Sequence, residues 1–442
     1  MNGNQKTNHA VEIPSSAKLK FLFISWEGLG GDLAKQILND GHEIKFYIKT
    51  SEDDDILDGI VEKVPEWEPH ADWADIIVID DTGFGKIADN LRRSGKKVIG
   101  CSEYTDRLEE DREFGQSEMK RVGMSTLPSW NFTEFDEAIA FIEKNPGRYV
   151  FKPSGSITSK QKGVLFIAEE ESGSDLLEVL EHNKKGWARK FKKFQLQKHI
   201  NGVEVATGAF FNGKDFIYPV NINFEHKKLF PGDIGPSTIE MGTLMYWSEN
   251  SSIFVSTLEK MKQPLVEAGY VGYIDINCIA NNNAVYPLEF TSRFGYPTIS
   301  IQLEGILTKT TEWLVKLAEG QSFELKTRRG FQIGVVVATP PFPFRDRAEA
   351  DIYRDLSIVF KKPNFDGIHF GYVKFIEEDY RIAGGSGYTL VVTGSGTTVD
   401  DARRIVYNRI DNIILQNKFY RTDIGTRWSN DSDKLRTWGY LQ

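Results

Sequence analysis

Four short apolar runs, separated by glycine turns and helical stretches, constrain the first quarter of this chain more than anything else in it. Lys18–Ser25 (KLKFLFIS) reads as a strand, Gly28–Gly31 as a turn, and Asp32–Asn39 as a helix stopped by Asn39, Asp40 and Gly41. Glu43–Ile48 is the next strand, and Ile76–Asp80 (IIVID) is of the buried type. A second glycine turn at Gly83–Gly85 leads into a helix, and Lys97–Gly100 is a further short strand. Strands alternating with helices imply a parallel sheet whose C-terminal loops are open to a ligand. This α/β unit spans 18–110, and the polar residues 1–17 read as a flexible tail.

The pattern then changes. A helix is expected around Glu109–Val122 and a strand around Tyr149–Phe151. The alternating runs QLQKHI and ATGAFF, followed by the turn Asn212–Gly213, predict an antiparallel, hairpin-rich sheet. Ser251–Ala268 reads as one helix, Gly272–Cys278 and Ala284–Phe290 as strands joined at Asn281–Asn283, and Thr308–Glu319 as a helix. Phe331–Ala338 (FQIGVVVA) opens a last region with a Pro-rich turn at Pro340–Pro343, a hairpin through Gly384–Gly387 and a helix at Val399–Gln416. There is no internal repeat, and 442 residues are too many for one core. The chain reads as three successive α/β or α+β units.

Charge narrows the function classes. With 54 Lys and Arg against 63 Asp and Glu the net charge is −9, so general affinity for a nucleic-acid backbone is not expected. A local basic pocket for one phosphate remains compatible with that balance. Two distant cysteines exclude a disulfide framework and point to a reducing compartment. No run of about eighteen apolar residues offers a membrane span, and the polar N-terminus lacks a secretion signal. The expected location is cytoplasmic.

The chemistry concentrates in a few places. Asp275 and Asn277 share one face of their strand by period-two spacing, as do Glu289 and Thr291 on the next. A hairpin would gather two carboxylates, an amide and a hydroxyl, oxygen ligands suited to Mg²⁺ shared with phosphates. A solvated polar sheet face satisfies the same spacing. Lys152 ends an apolar strand and precedes the small-residue loop PSGSITSKQKG, which contains Lys162. That arrangement suits an ammonium and backbone amides set against phosphates, under a loop that closes as a lid. The other reading is a surface lysine beside a mobile loop. The loop lacks the Walker A pattern. The turn Gly28–Leu29–Gly30–Gly31 aims amides and a helix N-terminus at an anion, although the third glycine of a dinucleotide fingerprint is missing. Phe224–Gly242 (FEHKKLFPGDIGPSTIEMG) reads as a long loop serving a site. Arg293 in EFTSRFGYP follows Glu289 closely enough to grip a phosphate or carboxylate.

In their order along the chain these motifs resemble phosphoribosylamine–glycine ligase (glycinamide ribonucleotide synthetase), an ATP-grasp enzyme. The resemblance runs from about Lys18 to about Trp428. It rests on EGLGG, LEEDREFGQSEMKRVGMST, EHKK with GDIGPST and EMG, LEFTSRFGYP, VVTGSGTTVDDARRIVY and YRTDIG. It implies an ATP-grasp domain over 111–326 with a mobile lid at about 123–195, and a small α+β domain at 327–442. It also implies an amide-forming reaction through an acyl phosphate, with ATP and Mg²⁺ (or Mn²⁺), an amino acid (glycine first) and a phosphorylated amine. The enzyme would be a monomer or small homo-oligomer acting on small molecules. Lys152 and Lys162 would meet ATP phosphates, and Gln197, His199 and Glu204 the nucleotide. Glu289, Asp275 and Thr291 would hold the metal, and Arg293 would stabilise phosphate or the acyl intermediate. Asp233, Gly235, Pro236 and Thr238 would border the amino-acid and amine pocket, with Gly30 and Gly31 facing the ribose phosphate.

The chain departs from the family pattern at several of these positions. Thr291 stands where Asn is usual, Gln197 and Lys198 replace an acidic hinge, and Ile239–Glu240 replace a double glycine. Tyr296 and Thr298 replace acidic residues. These changes motivate two further expectations: the same chemistry on another amino acid or amine, or a non-catalytic binding relative.

Overall fold

The run KFLFIS forms β1 (Lys20–Ser25), the middle strand of a parallel sheet with β2 (Glu43–Ile48), β3 (Glu62–Lys63), β4 (Ile76–Ile79) and β5 (Val98–Ile99), in the order β3-β2-β1-β4-β5. The structure is a computed structural model that describes residues 18–154 and 164–441. β1 is apolar on both faces because both are covered. Phe21 and Phe23 pack with Leu33 and Ile37 of the helix Gly31–Asn39, while Leu22 and Ile24 pack with Ala88 and Leu91 of the helix Gly85–Arg93. Strand order reverses at β1, so the ends of β1 and β4 open a crevice, and Glu27, Asp80 and Asp81 lie there. The helix expected across Glu109–Val122 is two helices, Glu103–Glu110 and Arg112–Arg121. The break falls at Asp111, whose carboxylate accepts from the Phe114 amide and caps the second helix.

A second, antiparallel sheet is built from β6 (Ser129–Phe132), β7 (Tyr149–Ser154), β8 (Phe166–Ile167) and β9 (Lys193–Lys198), ordered β6-β9-β7-β8. The helices Phe135–Lys144 and Ser174–Trp187 cover it. It has a core of its own, in which Phe135 stacks on Phe194 at 4.4 Å and Phe151, Leu176 and Leu180 complete the packing.

The third sheet has eight strands. It uses β10 (Val203–Phe211), β11 (Phe216–Phe230), β12 (Ile234–Ser248), β13 (Gly272–Ala280), β14 (Val285–Thr291) and β15 (Phe331–Ala338). Beyond the short β16 (Val359–Phe360) come β17 (Ile368–Phe370), the hairpin β18 (Val373–Ile376) and β19 (Asp379–Ile382), then β20 (Tyr388–Gly396) and β21 (Ile413–Ile414). The order is β14-β13-β10-β11-β12-β15-β20-β17. Ile222, Phe224, Leu244, Ile274, Ile276, Ile333 and Val335 are buried on one face in a single core. Each such side chain contributes about 1.5–3 kcal/mol relative to exposure. The alternate positions, Asn221, Asn223, Glu225, Thr243, Asp275, Asn277 and Gln332, make the opposite face polar.

Three expectations are corrected here. Phe224–Gly242 is not a long loop: it is the distal half of the β11–β12 hairpin, turning at Pro231–Asp233. The residues Pro-Gly-Asp that read as loop supply the turn, and Gly232 and Asp233 both take the positive φ it needs. Gly384–Gly387 does not connect a hairpin, because β19 pairs with β18 while β20 pairs with β15 and β17. The helix expected at Ser251–Ala268 breaks at Thr257 into Ser252–Ser256, a 3₁₀ turn Leu258–Met261, and Lys262–Glu267. Among the described residues no helix is long and apolar enough to cross a membrane.

Candidate active site

Hairpin β13–β14 brings the four expected oxygen-bearing residues to one face. Asp275 lies opposite Thr291 and Asn277 opposite Glu289, with a bulge just beyond Asn277. Asp275 and Asn277 are buried, and the Oδ1 atoms of both lack a hydrogen-bond partner among the described residues. Burial raises the Asp275 carboxyl to about 8, with the charges of Glu225 and Glu109 adding to it. The Thr291 hydroxyl bonds to that carboxyl and works the other way. Thr291 therefore stands beside Asp275 on the same face. Gly208 faces Asp275 across β10–β13, where a Cβ would lie 2.8 Å from the Asp275 Cβ and overlap the Tyr273 hydroxyl.

Beside this hairpin, Lys227 extends from β11. Its ammonium pairs with Glu204 at 2.9 Å, Glu225 at 3.5 Å and Glu289 at 3.8 Å. Burial opposes the charge on Lys227, but the three carboxylates outweigh it and hold the lysine well above its usual range. Burial pushes Glu225 up despite Lys227, and Glu240, hydrogen-bonded by Thr243, well above the ordinary carboxylate value. Such a group of acids is stable only while cations or protons compensate it.

Lys152 reaches this face from β7. It is buried and donates to the Gln197 side chain at 2.7 Å. Burial, then the neighbouring Arg112, lowers its pKa to about 7, with Glu289 and Glu204 opposing the fall. Gln197 keeps a buried Nε2 without a partner among the described residues. Lys152, Gln197, Glu204, Asp275 and Glu289 thus converge with Lys227 and Arg112 on one polar surface. His199 follows β9, with its amide bonded to the Arg148 carbonyl and its ring pKa lowered by burial and by Arg148. Lys162 lies outside the described residues.

Other expected residues are committed elsewhere. The Arg293 guanidinium spans two carboxylates, Glu109 at 3.2 Å and Asp81 at 3.4 Å, and donates to the Phe294 carbonyl. It joins the parallel sheet to the hairpin. The glycine turn has no amide to spare at the two expected positions. Gly30 N–H donates to Asp80 at 2.7 Å and Gly31 N–H to the Gly28 carbonyl. A Cβ on Gly30 would run into the Asp80 side chain, and one on Gly31 into that of Leu57. Burial and the charge of Asp81 raise Asp80 to about 7.

Asp233 sits at the hairpin tip with φ +57°, paired with Arg421 at 2.8 Å and Arg427 at 3.4 Å. Arg421 is fully buried and also binds Asp423 and the Lys228 carbonyl. Gly232 N–H donates to Asp423, Arg427 donates to the Glu225 carbonyl, and Gly425 N–H donates to His226 Nε2. Burial, with Arg427 and Arg421 alongside, lowers His226 to about 3, so its ring is a neutral acceptor. The segment Arg421–Arg427 is a clasp on the hairpin carrying Lys227. Gly235, Pro236 and Thr238 lie along that hairpin, where the Thr238 hydroxyl donates to the Lys227 carbonyl.

Sequence reasoning missed Lys227, Glu225, Arg112 and Glu109 as site residues. Glu225 and Lys227 carried a signal, since they alternate with Phe224 and His226 on what is a strand. Arg112 and Glu109 lie within LEEDREFGQSEMKRVGMST, but nothing local singled them out.

Residues 110–299 match the family described as phosphoribosylglycinamide synthetase, ATP-grasp (A) domain. The central segment is an ATP-grasp domain. Across the wider chain, a phosphoribosylamine–glycine ligase of Streptococcus pneumoniae is 25% identical over 429 residues, covering 92% of this chain and 99% of that one. A ligase of the same name from Listeria monocytogenes is 27% identical over 356 residues, covering 77% and 81%. Among solved structures, phosphoribosylamine–glycine ligase from Thermotoga maritima superposes with a TM-score of 0.69 at 22% identity, covering 92% of this chain and 100% of that one. Biotin carboxylase from Campylobacter jejuni gives 0.62 at 12% identity, covering 96% and 97%. These two superpositions show a shared fold.

Proposed function

We propose that this protein is an ATP-dependent, ADP-forming carboxylate–amine ligase that joins glycine to phosphoribosylamine, as in purine biosynthesis. The observation that carries the reading is the near end-to-end correspondence with the Streptococcus pneumoniae ligase. In this reading the protein works in the cytoplasm on small molecules, as a monomer or small homo-oligomer.

The glycine carboxylate attacks the γ-phosphorus of ATP, the bond to the β-bridging oxygen breaks, and ADP leaves. The amine nitrogen then attacks the acyl phosphate carbonyl, inorganic phosphate is expelled, and the nitrogen loses a proton. Little covalent work falls to the protein, so positioning and charge stabilisation dominate. Lys152 binds ATP phosphates, gaining a full charge as it does so. Lys227 offsets negative charge on the same face. The unit at about 123–195 acts as the lid, a role supported by its separate core and by Lys152 projecting from it.

The donor set fits Mg²⁺ in one respect and limits it in another. The unpartnered Oδ1 atoms of Asp275 and Asn277, with Glu289 nearby, are hard oxygen donors. Among the described residues no three His, Cys, Asp or Glu side chains gather closely enough to form a cage. Asp275 and Glu289 would therefore hold an ion shared with phosphate oxygens, which neutralises the transferring group when bound.

Purified protein with Mg²⁺-ATP, glycine and freshly generated phosphoribosylamine should release ADP only when both co-substrates are present. Release that ignores either one, or no release at all, would sink the reading.

A further inference from the structure

A line of buried amides and one phenol crosses the polar face of the eight-stranded sheet and ends at Asp275. Gly208 of β10 lies opposite Asn221 of β11 on one side and Asp275 of β13 on the other. With no side chain at that position, β10 leaves a slot between two residues that stand two strand spacings apart, roughly 10 Å. Tyr273 fills the slot. Its place two residues before Asp275 puts it on the same face, and its hydroxyl lies over Gly208, where a Cβ would collide with it.

The hydrogen bonds along this line run in one direction. Gln302, on the helix Thr298–Gly305, donates from Nε2 to Asn221 Oδ1 at 3.1 Å. Asn221 donates from Nδ2 to the Tyr273 hydroxyl and to Asn223 Oδ1, both at 3.0 Å. Since Asn221 already supplies the Tyr273 oxygen with a donor, the phenol gives its own proton to the Asp275 side chain, with which it hydrogen-bonds. Gln302, Asn221 and Tyr273 are each at most 1% exposed, so water does not compete for these donors.

The arrangement serves Asp275 ahead of its own members. Gln302 spends its Nε2 on the line while its buried Oε1 stays without a partner among the described residues, an arrangement that self-satisfaction alone does not explain. Each donor polarises the next, so the N–H and O–H dipoles reinforce one another toward the carboxylate in a low-dielectric interior. A carboxylate free to rotate presents either oxygen to a ligand. Asp275 is tethered by the phenol and keeps Oδ1 unpartnered among the described residues, on the face it shares with Glu289.

We propose that Tyr273, Asn221 and Gln302 are positioning residues that hold Asp275 with Oδ1 turned to the divalent cation shared with ATP. The assignment rests on the reading of Asp275 as a metal ligand, which Asp275→Asn tests by itself. The readout is the factor by which Mn²⁺ tightens binding of a non-hydrolysable ATP analogue to the full chain, measured calorimetrically and without turnover. Tyr273→Phe removes only the hydroxyl and should reduce that factor about tenfold, the usual effect of losing a group that orients a metal ligand. Gln302 lies three hydrogen bonds from Asp275, and Gln302→Met should reduce the factor less, in the same direction. The double variant should be no worse than Tyr273→Phe alone, because both act through one line. Affinity for the analogue without metal should stay unmoved in all of them.

A lower melting temperature with an unchanged Mn²⁺ factor would make the line merely structural and overturn the proposal, as would additive losses in the double variant. A factor reduced by Asp275→Asn but not by Tyr273→Phe overturns it too and leaves Asp275 a ligand. A factor unmoved by Asp275→Asn removes the ligand reading and the positioning role with it. If Tyr273→Phe fails to fold, Gln302→Met decides on the same readout. No arm uses glycine or the amine, so a protein that never releases ADP is tested equally well.

Discussion

Lys152 offers the sharpest test, because its protonation is linked to whatever binds it. With a pKa of about 7 in the free protein, about half the molecules carry its charge at pH 7 and about a tenth at pH 8. A bound triphosphate stabilises the ammonium and returns the lysine toward its ordinary range. Binding therefore takes up about half a proton at pH 7 and about nine-tenths at pH 8. The sign follows directly: below pH 7 Lys152 is already charged and affinity is flat, while above it each pH unit weakens binding up to about tenfold. Calorimetric titration of a non-hydrolysable ATP analogue, in buffers of different ionisation enthalpy, reads both the proton count and the slope. Lys152→Arg keeps a charge at every pH used and should abolish both effects. Proton uptake that is absent in the wild type, or preserved in Lys152→Arg, would refute the assignment of Lys152 to the phosphates.

Other outcomes follow from the same geometry. Arg421→Met leaves Asp233 and Asp423 without the guanidinium that joins them and should cost about 1–3 kcal/mol, since both acids keep access to solvent, and an unchanged melting temperature would count against the clasp. Gly208→Ala forces a methyl against Tyr273 and Asp275; a loss of about 1–3 kcal/mol is expected, seen as a lower melting temperature. Glu289→Gln should raise the Mg²⁺ concentration for half-maximal ADP release several-fold, and an identical metal titration would remove it as a ligand.

The parts of this molecule legible in the sequence are those written locally. KLKFLFIS announced a strand because it is a short apolar run, and Asp275, Asn277, Glu289 and Thr291 announced a shared face because strand spacing is two. Lys152 stood out as a charge ending an apolar strand. The β11–β12 hairpin did not announce itself. Its strands run 15 residues each, well beyond the usual five or six, and the polar residues of their distal half mimic a loop. Partners distant in sequence were invisible altogether. Nothing near Gly30 shows that Asp80, 50 positions away, takes its amide. Nothing near Arg293 shows that Glu109 and Asp81 hold it. The glycine turn could be read as a turn, whereas its use as an anion site depended on which amides the folded chain had left over.

The clasp also sets an order of events during synthesis. Lys228, whose carbonyl receives the Arg421 guanidinium, leaves the ribosome 193 residues before Arg421 does. A growing chain therefore carries Lys227 and its carboxylate neighbours through nearly half its translation with the hairpin tip unpinned. The hairpin's central edge likewise waits for β15 to arrive. Until Arg421 is made, the tip residue Asp233 has no Arg421 guanidinium to pair with.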